Sequence, residues 1–302
     1  MAYAKVIINP SAGADKTRKK VPEIERMLRE INLDFSSIIT EGPGHAVKIA
    51  EESVKAGAKM IVSVGGDGTI NEVANGIYNA GGLAETALGI VSTGTGADYI
   101  RTLGLPRSID EAVKKLQSPK FNNVDLGKLS CMKNGKATER LFVNFAGLGF
   151  DAEIVRATSQ KYKSLGKVAA YLMALLTILA SYRNKNIKIT INGVEETHKI
   201  CTTIMGNGKY GGGGMMTTPE ADISDGLLDV LVVGDLSKPD LLASLPRIYK
   251  GTHLTHPKVR LKKAAEISIK TEEVMTVQAD GDLMGETPVT FSILPRALKI
   301  IL

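Results

Sequence analysis

The first third of the chain alternates short apolar runs with longer stretches in which apolar residues recur every three or four positions. Lys5–Asn9, Phe35–Thr40, Met60–Val64 and Leu88–Val91 read as short buried strands of a mostly parallel sheet. Lys16–Glu30, His45–Ala56 and Thr69–Asn79 read as the helices between them; in the third, Ile70, Val73, Ala74 and Ile77 fall on one face. The order β-α-β-α-β-α-β predicts an α/β domain built on an open, doubly wound sheet.

From about Asn122 the period shortens to two. Leu141–Phe145, Ile187–Ile191, Ile200–Met205, Leu228–Val233, Val259–Leu261, Ile267–Ile269, Val274–Val277 and Val289–Leu294 predict a β-rich second domain with few helices. The expected division is residues 1–125 and 126–294. The apolar end Leu298–Leu302 is expected to return to the first domain, as part of residues 295–302. Val168–Ala180 is almost wholly apolar but well short of the ~20 residues that span a bilayer. It reads first as a buried helix and second as a helix lining an apolar substrate site, with Lys161, Lys163 and Lys167 before it and Arg183, Lys185 and Lys188 after it.

Composition narrows the class. Over 302 residues, 43% hydrophobic and 23% charged describe a globular chain rather than a disordered one. The net charge of +6 suits nucleic acid, an anionic membrane surface or a phosphorylated ligand equally. With no Trp and 5% aromatics, a base-stacking surface is poorly supplied, so no nucleic acid is expected as partner. Cys131 and Cys201 form no metal or disulfide pattern, and the N-terminus shows no signal peptide; a cytoplasmic protein is expected. His45 reads as part of a helix start, and His198, His253 and His256 as surface residues.

The densest chemical signal is Gly65-Gly66-Asp67-Gly68-Thr69, between a strand and a helix. Ligands of open α/β sheets bind at that edge, where glycines admit phosphate oxygens and the helix N-terminus offers free N–H groups. An aspartate there repels bare phosphate and makes sense with Mg²⁺ between them; the competing reading is a tight turn with Asp67 as N-cap. Asn9–Gly13 and Ser92–Asp98 are small-residue turns on the same edge, which together suggest a phosphate cradle. No GxGxxG follows the first strand, and no GxSxG, HExxH or DFG occurs.

NPSAG at 9–13, TEGPGHA at 40–46, GGDGTINE at 65–72 and STGTGADYIRTLGLP at 92–106 resemble the diacylglycerol-kinase catalytic domain of soluble bacterial-type lipid kinases. NVDLGK from Asn123, FVNFAGLGFD from Phe142, MGNGKYGGGGM from Met205, DISDGLLD from Asp222 and QADGD from Gln278 continue the resemblance along nearly the whole chain. It implies a fold like that of NAD kinases and diacylglycerol kinases, with the active site in the cleft between two domains. Asn9, Pro10, Ser11, Ala12, Gly13, Thr40, Gly66, Asp67, Gly68, Thr69, Ile70, Asn71, Glu72 and Thr93 would hold ATP, and Asp67 would act near a catalytic Mg²⁺. Asp280 would be the base for a lipid hydroxyl, with Asp282 beside it. A second, structural metal would lie on Asp222, Asp225 and the Leu227 carbonyl, and Asp125 would link that site toward Asp67. The residues alone leave Asp280 and Asp282 either on one side of a continuing strand or divided by an Asp-Gly turn. Three positions depart from the family pattern: Ala97 stands before Asp98 where asparagine is usual, Asp282 replaces glutamate, and Ala14 stands where lysine is common.

The resemblance implies an ATP-dependent lipid kinase visiting the membrane surface, and leaves a homodimer open. Two competing readings are a small-molecule kinase of the NAD-kinase type and a non-catalytic nucleotide- or lipid-binding module. Phosphoryl transfer fits the residue types, because it needs charge neutralisation and positioning more than covalent help.

Overall fold

In the computed structural model, which describes residues 3–161 and 167–302, parallel strands β1 (Ala4–Ile8), β2 (Phe35–Ile39), β3 (Met60–Gly65) and β4 (Ala87–Ser92) lie in the order β4-β3-β1-β2. Side chains alternate across the sheet. Val6, Ile8, Val62 and Val64 therefore meet Ile24 and Leu28 of α1 (Lys16–Glu30) and Val113 and Leu116 of a helix at Ile109–Gln117. Ile7, Ile61 and Leu88 meet Ile49 of α2 (His45–Lys55) and Ile70, Val73 and Ile77 of α3 (Asp67–Asn79) on the other face. Helices on both faces explain why β3 is buried along its whole length. A short α4 (Asp98–Thr102) precedes the Ile109–Gln117 helix, which is α5.

The second half comprises β5 (Phe121–Lys133), β6 (Lys136–Phe142), β7 (Phe145–Gly149), α6 (Phe150–Gln160), α7 (Lys167–Ser181), β8 (Lys185–Ile191), β9 (Val194–Ile200), β10 (Thr202–Gly206), β11 (Leu228–Val233), α8 (Lys238–Lys250), β12 (Val259–Ala264), β13 (Glu266–Thr271), β14 (Thr276–Ala279) and β15 (Asp282–Ile301). One sheet runs through both halves in the order β12-β11-β10-β7-β14-β15-β4-β3-β1-β2. β15 makes this continuity: it pairs with β14 near its start, with β5 along most of its length, and places Ile300 beside Leu88 of β4.

Several expectations need correction. Leu141–Phe145 is not one strand; β6 ends at Phe142 and β7 starts at Phe145, because the intervening amides turn onto a carboxylate. The second half is β-rich, as expected, and carries three helices, α6, α7 and α8. α8 contains Pro239 and Pro246 and buries no residue fully. α7 is not a buried helix: Leu172, Met173 and Leu176 are 51%, 43% and 59% exposed, while Tyr171 and Leu175 line a cavity. Lys163 lies outside the described residues.

α3 is clamped to β6 by two asparagines one helical turn apart. Asn71 and Asn75 both donate to the Leu141 carbonyl, and the Leu141 N–H donates to Asn75 Oδ1 at 3.0 Å. These amides complete a strand edge with side chains and fix the first half against the second. Asn75→Ala leaves a buried N–H without its acceptor and should cost ~1–3 kcal/mol. Urea unfolding measures this; a loss under about 0.5 kcal/mol would show that the clamp contributes no more than an average exposed contact.

Candidate active site

Three turns converge at the carboxyl ends of β1, β3 and β4. The Asn9 N–H donates to Val64 O, and the Thr93 and Gly94 N–H groups donate to Gly65 O. Asn9 Nδ2 donates to Thr69 Oγ1 at 3.0 Å, Asn9 Oδ1 accepts from the Ser11 N–H, and Thr17 Oγ1 donates to Thr93 Oγ1 at 2.7 Å. A Cβ on Gly94 would stand 2.5 Å from Gly66 Cα, so the second and third turns touch backbone to backbone. Asn9–Gly13, Gly66–Thr69 and Thr93 therefore share one rim, with Thr40 buried where β2 reaches it. The Ile70 side chain instead points into the core.

Capping shows where this rim is left open. α5 and α8, away from it, are capped by Ser108 and Ser237. α3 starts from Gly66 with no side-chain cap. Asp67 is its first helical residue rather than its N-cap, and its carboxylate accepts from the Asp98 and Tyr99 N–H groups at 3.2 and 3.0 Å, at the start of α4. Glu72 likewise serves α2, accepting from the Gly44 and Ala46 N–H groups. The acids of α3 thus cap its neighbours, while its own N-terminal amides face the rim, the arrangement that binds phosphate.

A pair of carboxylates stands at the same edge. Asp98 is 5% exposed and accepts from the Gly213 N–H at 2.7 Å and from Arg101 at 3.2 Å. Burial, with the charge of Asp67 adding to it, pushes the Asp98 carboxyl above its usual range against the pull of the Gly213 amide and Arg101. A Cβ on Gly96 would fall 3.1 Å from Asp67 Oδ2 and 3.5 Å from Asp98 Oδ2. Because position 96 has no side chain, the space between the two acids stays open, and two carboxylates with room for waters and phosphate oxygens suit Mg²⁺. Sequence reasoning missed Asp98; its place two residues beyond the last rim glycine was the available signal.

Asp280 occupies a different environment. Its Oδ2 accepts from the Val143 N–H and Asn71 Nδ2, both at 2.7 Å, and its Oδ1 accepts from the Asn144 and Phe145 N–H groups at 3.0 Å. Burial pushes its carboxyl up to about 6 against these four donors. Asp280 and Gly281 both have positive φ and form the turn between β14 and β15, so Asp280 and Asp282 do not share one side of a continuing strand. Asp282 is exposed at the start of β15. Asp125 is fully buried and binds the Gly226 and Arg296 N–H groups at 2.7 and 2.6 Å, so it ties the 222–227 turn to β15. The buried Tyr99 connects these acids: its N–H binds Asp67, and burial together with the charges of Asp280 and Asp125 holds its phenol well above the usual range.

On the turn expected to carry a second metal, a lysine stands beside one of the acids. Asp222 Oδ1 accepts from the Ser224 N–H and Oγ, and Asp225 Oδ1 accepts from the Leu227 N–H. Lys263 Nζ lies 2.6 Å from Asp225 Oδ2 and 3.6 Å from Asp229 Oδ2. Among the described residues no group of three or more His, Cys, Asp or Glu gathers as a metal site. Asp222, Asp225 and Leu227 thus lie on one turn, held by its own amides and by Lys263.

Beside the rim, a cavity of about 300 Å³ is walled by Asp67, Asp98, Asp280, Phe145, Ile154 and Tyr171. It shares Phe145, Ile154, Val155, Tyr171 and Gly212 with a largely apolar cavity of about 160 Å³ enclosed by α6, α7, α8 and the sheet. Within that wall Asp151 accepts from Thr202 Oγ1 at 2.6 Å and Gln278 Nε2 at 2.9 Å, and burial raises its carboxyl. His253 is not a surface residue: it is 5% exposed, hydrogen-bonds Thr217 O through Nε2, and lines this cavity.

Residues 3–129 match the diacylglycerol kinase catalytic domain, and residues 144–302 match the YegS C-terminal NAD kinase beta sandwich-like domain. A diacylglycerol kinase of Staphylococcus carnosus is 27% identical over 98% of this chain and 94% of its own length. One crystal structure from Bacillus anthracis strain Sterne is 30% identical with a TM-score of 0.79, covering 99% of this chain and 95% of that one. Another from the same organism, described as a diacylglycerol kinase, gives 28% and 0.78 over 99% and 96%.

Lys263→Met leaves the fully buried Asp229 carboxylate without its cation and should lower stability by ~1–3 kcal/mol. Adding Asp229→Asn should recover part of that loss, as expected for coupled partners. Thermal melts of both variants decide this, and a single variant as stable as wild type would remove Lys263 from the support of the turn.

Proposed function

This chain belongs to the diacylglycerol kinase catalytic domain family, and from that membership we propose that it transfers the γ-phosphoryl group of ATP to the hydroxyl of diacylglycerol or a related lipid. The observation that carries the reading is the shared wall: the cavity bordered by the rim carboxylates Asp67 and Asp98 shares Phe145, Ile154, Val155, Tyr171 and Gly212 with an apolar cavity. A charged phosphate donor and an apolar acceptor can meet only where two such environments join. A small-molecule kinase would leave the apolar cavity without a role.

In this proposal the Asn9–Gly13 turn, the N-terminal amides of α3, Thr40 and Thr93 hold the nucleotide phosphates. Asp67 and Asp98 would hold Mg²⁺, which when bound neutralises phosphate charge. The Arg101 guanidinium lies 5.1 Å from the centre of the Tyr210 ring and donates to Asp98, which also holds the Gly213 N–H. Asp280 is the proposed proton acceptor. Its Oδ1 carries the two longer bonds, from Asn144 and Phe145; exchange of one of them for the lipid hydroxyl would bring the base within reach of its proton. Asp282 would stand as a second acid beside it, and Asp125 would hold the supporting turn. The apolar cavity would take the acyl chains and keep water from the acceptor hydroxyl. No helix among the described residues is long and apolar enough to cross a membrane, so the proposed enzyme would meet its substrate as a peripheral protein at the cytoplasmic face.

Incubation with labelled ATP and dispersed diacylglycerol should yield labelled phosphatidic acid in the presence of Mg²⁺ and none with a chelator; NAD offered as acceptor should stay unlabelled. Asp67→Asn keeps an acceptor for α4 and should preserve the fold while lowering kcat by about 10²-fold or more. A variant turning over at the wild-type rate would sink the assignment of Asp67.

The pH profile tests Asp280 separately. A base must be deprotonated to act, so kcat/KM should fall as the pH drops through about 6. Asp280→Asn should lower the rate by ~10²–10⁴-fold and flatten that acid limb. An unchanged limb in the variant would assign the titration to another group.

A further inference from the structure

α7 and α8 each present two apolar faces. Tyr171, Leu175 and Leu241, Leu245, Ile248 face the apolar cavity. On the opposite side of α7, Ala169, Leu172, Met173, Leu176 and Ala180 form an exposed stripe at helical spacing. On α8 the exposed stripe is Pro239, Leu242, Ala243, Pro246 and Tyr249, with Leu242 and Tyr249 54% and 52% exposed. Among the described residues, five of the eleven exposed large apolar side chains lie on these two helices. No charged residue interrupts the chain between positions 168 and 182. A helix covering a water-soluble core normally turns a polar face outward; here the outward face is apolar, which marks a surface that meets another apolar phase.

Cations stand at the ends of the stripes. Arg183 follows α7, Lys238 opens α8, and Arg247 and Lys250 close it, all exposed. Lys238 Nζ donates to the Ala180 carbonyl, so the end of α7 and the start of α8 lie side by side. Arg183, Lys199 and Lys238 also line a cleft of about 370 Å³ between them, which shares Phe150, Leu236 and Leu241 with the apolar cavity.

We propose that the exposed stripes of α7 and α8 form the surface that docks on an anionic lipid bilayer, with Leu172, Met173, Leu176, Leu242 and Tyr249 entering the acyl boundary and Arg183, Lys238, Arg247 and Lys250 meeting the headgroups. This assignment rests on the lipid-kinase reading and names the face through which it works. The occupant is a bilayer because the same two helices wall the cavity behind the stripes, so a docked chain would need only to pass between or around them. A cationic border around an apolar centre also matches an anionic interface in layer order. α8, with no fully buried residue, is held by fewer core contacts than the other long helices and is the element best placed to move during that passage.

The chain has no tryptophan, so Leu176→Trp introduces a single reporter on the stripe and Phe121→Trp a control at the start of β5, outside both stripes. With vesicles of phosphatidylcholine and phosphatidylglycerol, the emission of Leu176→Trp should move to the blue and be quenched by brominated acyl chains, while Phe121→Trp should not respond. A Leu172→Ser, Leu176→Ser, Leu242→Ser variant should bind these vesicles about tenfold more weakly or less. It should keep the wild-type rate on monomeric short-chain diacylglycerol and lose it on vesicle-borne substrate. An unshifted, unquenched Leu176→Trp overturns the docking face, as does light scattering showing that the stripe pairs two copies of the chain instead. If Leu176→Trp inserts but the protein phosphorylates no lipid, the face stands and the kinase reading falls.

Discussion

The arrangement depends on one carboxylate held between two halves of the chain. Asp280 collects the Asn71 side chain from the first half and three successive amides, 143–145, from the second. Those amides are free to reach it only because the strand pattern is interrupted between β6 and β7. Asn71, in turn, is set by Asn75 and by its grip on Leu141, so the register of α3 against β6 and the aim of Asp280 are one fact. A buried anion with fewer donors would be costly; with four, it becomes the point about which the cleft is built.

The same economy of charge operates at the rim. Phosphate sites at helix starts are usually discussed as dipoles plus amides. Here the acids next to them decide which helix start stays open. Asp67 and Glu72 saturate α4 and α2, and α3 is left uncapped. The acids would repel phosphate if they lay free at the rim. Bound to neighbouring helices, they act as braces, and the repulsion between Asp67 and Asp98 is what a divalent cation would relieve.

Much of the first half was legible because its strands are continuous apolar runs and its helices are strongly periodic. The glycine turns were legible for the same local reason. What escaped was set by distant partners. β9 is polar and exposed, so no periodicity announced it, and α8 carries two prolines without a buried stripe. The break at Val143 and Asn144 follows from a carboxylate more than a hundred residues away. Asp222, Asp225 and Leu227 were found as a motif, but the cation beside them comes from β12, and no local pattern points to Lys263. The outward apolar stripe of α7 was visible as composition and misread as burial, because sequence shows that a face is apolar and not what covers it.

β15 gives the cleft a mechanical character. Many two-domain enzymes open about a flexible link, where a few residues absorb the rotation. Here the halves are crossed by a 20-residue strand hydrogen-bonded to β5 on its way from β14 to β4. Swinging the halves apart would shear that ladder, whose register shifts only at Glu286/Val289 and Leu294/Leu298. The sheet therefore behaves as a stiff spine that can twist but not hinge freely, and compliance is left to the layer lying on it. Access to the interior is then a matter of displacing helices from a rigid floor, a cheaper motion than separating two walls.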